Sequence, residues 1–194
     1  MQGPAEAAIV ADDQAGVAAN QLRLGMLATG KVFFTMTDAQ GSDHGLRTGS
    51  AYNLVSSRSL IPGGWTHVAI VQDGKDFTLF LDAVESRRLT LEPFTRGTVP
   101  ALPLRLGSRF APVDDSIAFE PFAGDLDEVR IWKVARTAAQ LAASRTQGLA
   151  ESDYPDLLRY FRLEAGKGTA DRDAVTDAGL ALQPGATWVT TTPF

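Results

Sequence analysis

Residues 65–71 read Trp-Thr-His-Val-Ala-Ile-Val, residues 73–76 read Asp-Gly-Lys-Asp, and residues 77–81 read Phe-Thr-Leu-Phe-Leu. Two short runs of β-branched and aromatic residues on either side of an Asp-Gly turn predict a β-hairpin. In the first run both alternation sets contain apolar residues, the pattern of a strand covered on both faces. A chain whose most apolar stretch is a hairpin must find a second sheet to bury it against.

The remaining segments supply that sheet. Residues 7–10 are a short apolar stretch closed by the polar turn 11–16. Residues 21–26 alternate polar and apolar, and the β-rich run 31–36 follows them across Thr29-Gly30, so the two predict a second hairpin. Residues 37–50 are rich in Gly, Ser, Asp and Thr and predict a surface loop; 54–60 predict a short strand. A further strand pair is expected over 102–107 and 124–132, with Leu126, Val129, Ile131 and Trp132 feeding a core. The one helix begins at Thr137, where Gln140 three residues later completes a capping box, and Gly148 is its expected stop. A last β segment covers 157–163, followed by 180–182 and 187–189. Many short strands with Gly and Asp turns and one late helix predict an all-β antiparallel sandwich; crossover helices for a parallel α/β fold are missing.

Composition narrows the partners. A net charge of −5 and a pI near 5.0 provide no basic patch for nucleic acid or anionic membrane surfaces. No stretch approaches the roughly 18–20 apolar residues that span a bilayer, so no membrane insertion is expected. With no cysteine, disulfides, thiolate zinc sites and cysteine nucleophiles are excluded together. The opening Met1-Gln2-Gly3-Pro4-Ala5-Glu6 has neither the basic nor the apolar region of a secretory signal.

The segment GGWTHVAIVQDGKDFTLFLD (63–82) resembles the central hairpin of laminin G-like jelly-roll domains, of the concanavalin A-like lectin/glucanase superfamily. LRLGSRF (104–110) followed by FAGDLDEVRIWKVARTAAQLAA (122–143) resembles the strand, loop, strand and helix that end them. The resemblance implies a jelly-roll sandwich over 7–147 that lacks the family's usual first strands. It places Trp65 and His67 on a core strand, with Trp65 and Trp132 buried. Residues 148–194 resemble the opening strands of a following module and are expected to pack as extra strands, as in a fragment of a tandem array or a permuted domain. An open sheet edge offers self-association. Where the family has Asp-Gly after the second hairpin strand, this chain has Asp82-Ala83, so another turn type is expected, because Ala in a left-handed conformation costs about 1–2 kcal/mol.

Candidate sites follow from the same residues. His67 is expected to be structural, and His44 sits in a loop without a recognisable partner. Asp125-Leu126-Asp127-Glu128 invites comparison with laminarinase-type glycosidases, whose retaining members need two carboxylates about 5–5.5 Å apart. Asp127 and Glu128 point to opposite faces of a regular strand, and the third position after Asp127 is Arg130, so Asp127 is expected to bond loop amides and Glu128 to pair with Arg130. No enzymatic activity is predicted.

The long loop 108–123 is the expected recognition surface, with Arg109, Phe110, Asp114, Asp115 and Phe119 as ligand-binding candidates; Phe122 and Tyr52 are the other loop aromatics. In pentraxins, relatives of this sandwich, the corresponding loop carries calcium ligands, which makes Asp114 and Asp115 the metal candidates, with Glu120 behind them. Adjacent loop aspartates serve more often as plain solvated surface, and that alternative is favoured here; Asp12, Asp13, Asp171, Asp173 and Asp177 match no calcium loop, and a structural role is favoured for them. The function expected is a non-catalytic binding or adhesion module for a glycan or protein partner, at the cell surface or outside the cell. A structural spacer in a large repeat protein is the alternative, and a glycosidase-related enzyme stands behind both.

Overall fold

The computed structural model describes residues 6–11, 21–92, 104–110, 118–182 and 185–189. Its contacts divide the chain into Met1–Ala123 and Gly124–Phe194.

In the first unit the alternating segments become β1 (Glu6–Ala11), β2 (Leu22–Leu27), β3 (Lys31–Met36), β4 (Arg47–Thr48), β5 (Ala51–Tyr52), β6 (Leu54–Ser59), β7 (Val68–Asp73), β8 (Asp76–Leu81), β9 (Val84–Thr90), β10 (Arg105–Leu106), β11 (Arg109–Phe110) and β12 (Ala118–Phe119). A five-stranded antiparallel sheet runs in the order β10-β1-β2-β3-β6 and a three-stranded one in the order β7-β8-β9; β4-β5 and β11-β12 are small ribbons. Strand alternation then builds the core. Val32, Phe34 and Met36 of β3 meet Phe77, Leu79 and Leu81 of β8, with Leu46 and Leu54 among them and Leu22, Leu24, Val68, Ile70 and Leu89 at the margin. Each fully buried Leu or Phe contributes roughly 1.5–3 kcal/mol, so these facing rows hold the two sheets together as a sandwich. Both expected hairpins form, the second around Gly30, which takes φ 75°.

The free edges of the two sheets are joined by serines. Ser57 of β6 donates its amide to the Ser86 hydroxyl of β9 at 2.9 Å, and the two hydroxyls lie 2.9 Å apart. An open sheet edge exposes backbone groups to wrong partners, and this link occupies part of it.

Four expectations are corrected. Trp65 lies outside the strand, which starts at Val68, and is 39% exposed in the rim loop with Ile61. Asp82 and Ala83 take the left-handed turn after all, at φ 54° and 64°. The Asp82 carboxylate fixes this conformation by accepting the His67 amide at 3.1 Å and the Arg58 guanidinium at 2.8 Å, which offsets the strain at Ala83. The loop 37–50 contains a strand, β4, because Gly49 at φ 60° folds it back on β5; in the same loop His44 does have a partner, Asp38, at 2.7 Å.

The second unit holds β13 (Val129–Trp132), α1 (Ala138–Ser144), a 3₁₀ turn over Glu151–Asp156, β14 (Leu157–Phe161), β15 (Ala170–Arg172) and β16 (Gly179–Ala181). Thr137 caps α1 with the expected box: its hydroxyl accepts the Gln140 amide at 3.2 Å, and the Gln140 side chain accepts the Thr137 amide at 2.9 Å. The helix ends before Gly148, and Arg130 takes up one carbonyl of its last residue, Ser144 at 2.7 Å, and one beyond it, Gln147 at 2.6 Å. β13 pairs antiparallel with β14 over a small core of Leu149, Leu157 and Tyr160.

Candidate functional site

On β2 the residues between Leu22 and Leu24 take the opposite phase, so Arg23 and Gly25 lie on the face of the five-stranded sheet turned away from the core. Cross-strand pairing sets Arg23 opposite Thr35, and Gly25 opposite Phe33. Tyr52, on β5, lays its ring on Phe33 with centroids 3.8 Å apart and planes at 18°. The face therefore carries an aromatic stack beside a guanidinium, where solvent-facing polar residues are the ordinary content of such a sheet.

Arg23 organises the site. Its side chain is 6% exposed, and its guanidinium lies 2.7 Å from the Glu120 carboxylate and 3.0 Å from that of Glu6. It also donates to the Tyr52 hydroxyl, which in turn donates to Glu6 at 2.9 Å. The guanidinium carbon sits 5.0 Å from the Phe33 ring and 5.5 Å from the Tyr52 ring. Arg109 reaches the same Glu120 at 3.3 Å. Arg47, paired with Tyr52 across the β4-β5 ribbon, places its guanidinium 5.1 Å from the Tyr52 centroid. Burial pushes the Tyr52 hydroxyl up to about 12 and the adjacent Glu6 carboxylate adds to this, against Arg23, so the phenol stays a neutral donor across the physiological range.

Two features set this cluster apart from a structural ion pair. Arg23 Nε, Thr35 Oγ1 and Arg47 Nε are buried and make no hydrogen bond within the described structure; such orphaned groups each cost about 1–3 kcal/mol. Glu120, which links both Arg23 and Arg109, stands at φ 49°, a left-handed position that non-glycine residues rarely take. Buried ion networks are often no more stable than apolar packing of the same volume, so hydrophobic burial does not explain this one.

Arg109 is thus brought to the cluster. Phe110 and Phe119 lie on the β11-β12 ribbon at the base of the loop 108–123, where Arg109 pairs with Phe119 and Phe110 with Ala118. Asp114 and Asp115 lie outside the described residues, and so does the calcium expectation that rests on them. Among the described residues no group of three His, Cys, Asp or Glu is placed to hold a metal ion. Sequence reasoning singled out Tyr52 and Glu120 but missed Glu6, Arg23, Thr35 and Arg47. The available signal was the pair Arg23 and Gly25 at the non-core phase of an otherwise apolar strand.

The family model of the concanavalin A-like lectin/glucanases superfamily, in its laminin G-like form, matches residues 2–142. The chain belongs to this superfamily. A protein of Bacteroides ovatus assigned as carbohydrate-binding has this fold with a TM-score of 0.56 and 17% identity, over 96% of the present chain and 52% of its own, so the chain spans about half the length of that protein. The CBM40 module of the Ruminococcus gnavus IT-sialidase matches with a TM-score of 0.55 and 16% identity, over 74% of this chain and 76% of its own. At these identities the likeness is one of fold. Comparison with curated protein sequences gives no match.

The superfamily includes glucanases, which gives weight to the carboxylates of the second unit. Asp127 accepts the Glu128 amide at 2.9 Å, and burial raises its pKa above the ordinary carboxylate value, with neighbouring Glu128 adding to the effect. Glu128 stands at φ 54° and is ion-paired to Arg130, whose side chain is 8% exposed, and accepts the Tyr160 hydroxyl at 2.7 Å. Its oxygens are occupied in tying β13 to β14; the partner is the expected Arg130, but that guanidinium is buried where an exposed one was expected, and Asp127 and Glu128 precede β13 instead of lying on a strand.

Proposed function

We propose that this protein is a non-catalytic carbohydrate-binding module and that it holds its glycan on the outer face of the five-stranded sheet, around Arg23 and Tyr52. The observation that carries the reading is the set of orphaned buried polar atoms, Arg23 Nε, Thr35 Oγ1 and Arg47 Nε, grouped beside an aromatic stack. Sugars present hydroxyls that donate and accept at once, and alternating guanidinium, carboxylate and phenol groups suit them in both senses. Arg109 and Glu120 belong to the cluster and stand at the two ends of the loop 108–123, which supports a part for that loop in recognition.

The assigned carbohydrate binding of the Bacteroides protein and the module type of the Ruminococcus one support the same class of ligand. A site outside the cell or on its surface is consistent with such a ligand. Absence of catalysis is supported by the engagement of Glu128 with Arg130 and Tyr160.

The test is a glycan array probed with the wild-type chain, with Tyr52→Ala and with a deletion of residues 113–117. Binding that is lost in Tyr52→Ala and weakened by the deletion bears the reading out. Binding indifferent to Tyr52, or hydrolysis of any bound glycan, overturns it.

A further inference from the structure

Arg47 lies half-buried at the edge of the cluster, and its guanidinium faces the Tyr52 ring at 5.1 Å. Glu6 and Glu120 are engaged by Arg23, Tyr52 and Arg109, and among the described residues no carboxylate stands within ion-pair distance of Arg47. Its Nε is buried without a hydrogen bond. A ring face is a weak partner for a guanidinium, contributing about 0.5–2 kcal/mol, and it leaves the in-plane N–H donors unused. Arg23, whose side chain is nine-tenths buried, likewise keeps an unused Nε on the same face.

We infer that the glycan bound at this site carries a carboxylate, and that Arg47 is the residue that selects it. This rests on the glycan reading above. The chemistry is direct: a planar carboxylate matches the fork of a guanidinium and takes two parallel hydrogen bonds, whereas a neutral hydroxyl satisfies one. Among the described residues the carboxylates of the site are held by Arg23, Tyr52 and Arg109, so the acceptor for Arg47 is assigned to the ligand. Two classes of sugar bring such a group, the uronic acids and the sialic acids.

Isothermal calorimetry on matched pairs separates these sources and tests the inference. Oligogalacturonate is compared with its fully methyl-esterified form, which has the same sugar chain without the charge, and sialyllactose with lactose. The expected result is that one acidic member binds about tenfold to a hundredfold tighter than its neutral partner, that Arg47→Gln removes this preference, and that Arg47→Lys keeps part of it. Circular dichroism on each variant checks that the fold is intact, and the preference should shrink as salt rises. Equal binding of acidic and neutral members, still dependent on Tyr52, overturns the role of Arg47 and leaves the glycan reading standing. Absence of binding to every member of both pairs overturns this inference, while the glycan reading is then decided by the array.

Discussion

The ring of Phe33 lies across the bare α-carbon of Gly25 on the neighbouring strand. A Cβ built on Gly25 would come 2.5 Å from Phe33 Cζ and 2.8 Å from the Ala7 carbonyl oxygen. That gap lets Phe33 lie against the sheet, and Phe33 in turn supports the Tyr52 ring. Gly25→Ala should therefore destabilise the first unit by about 1–3 kcal/mol and disturb the Tyr52 stack together with it. Chemical denaturation gives the first effect and near-ultraviolet circular dichroism the second; an unchanged midpoint would remove the role assigned to Gly25.

Arg23 separates stability from recognition. Arg23→Met leaves Glu6, 18% exposed, without its cation and Glu120, 22% exposed, with Arg109 alone, and should destabilise by up to about 3 kcal/mol. Adding Glu6→Gln and Glu120→Gln neutralises both carboxylates but takes Glu120 away from Arg109, so only part of that loss should return, while glycan binding stays absent. Urea titrations of the single and triple variants check this. Restored binding in the triple variant would show that the network serves only the fold.

The β8–β9 turn depends on Asp82. Asp82→Ala deletes the contacts to His67 and Arg58 and leaves two alanines in left-handed conformations, so about 1–2 kcal/mol should be lost. Asp82→Asn should lose less, since asparagine tolerates that conformation and still accepts the His67 amide. Thermal melts of the two variants in parallel decide it, and equal losses would count against the turn.

Asp173, 1% exposed, sets an acid limit on the second unit. Burial works against its charge, but hydrogen bonds from the Thr176 hydroxyl and the Tyr160 and Val175 amides, with Arg159 nearby, prevail and hold its pKa below the ordinary carboxylate value. A depressed folded pKa contributes stability that is complete above the unfolded value, near about 4, and is lost as pH falls through the folded one. The stability gap between wild type and Asp173→Asn should thus be constant near neutrality and narrow below about pH 4. A gap that widens on acidification would contradict the assignment.

Local signals in the sequence carry the two hairpins but not every pairing: the expected pair of 102–107 with 124–132 does not form, because β10 pairs with β1 and β13 with β14. Alternation at period two, the Asp73-Gly74 and Thr29-Gly30 turns and the Thr137–Gln140 box are local signals, and each acts between residues a few positions apart. The resemblance carried by 63–82 and 104–143 supplied the superfamily. The candidate site, by contrast, is assembled from residues far apart in the chain. Arg23 meets Glu120 across 97 positions and Tyr52 meets Glu6 across 46, and no local periodicity encodes which distant carboxylate a guanidinium will reach. Trp65 shows the same limit from the other side, since its run is apolar enough for a core strand, yet β7 starts three residues later and leaves the indole at the rim. Side-chain phase along a strand is set by the covalent chain, but what lies across each face is set by sheets that meet only when the whole unit has folded.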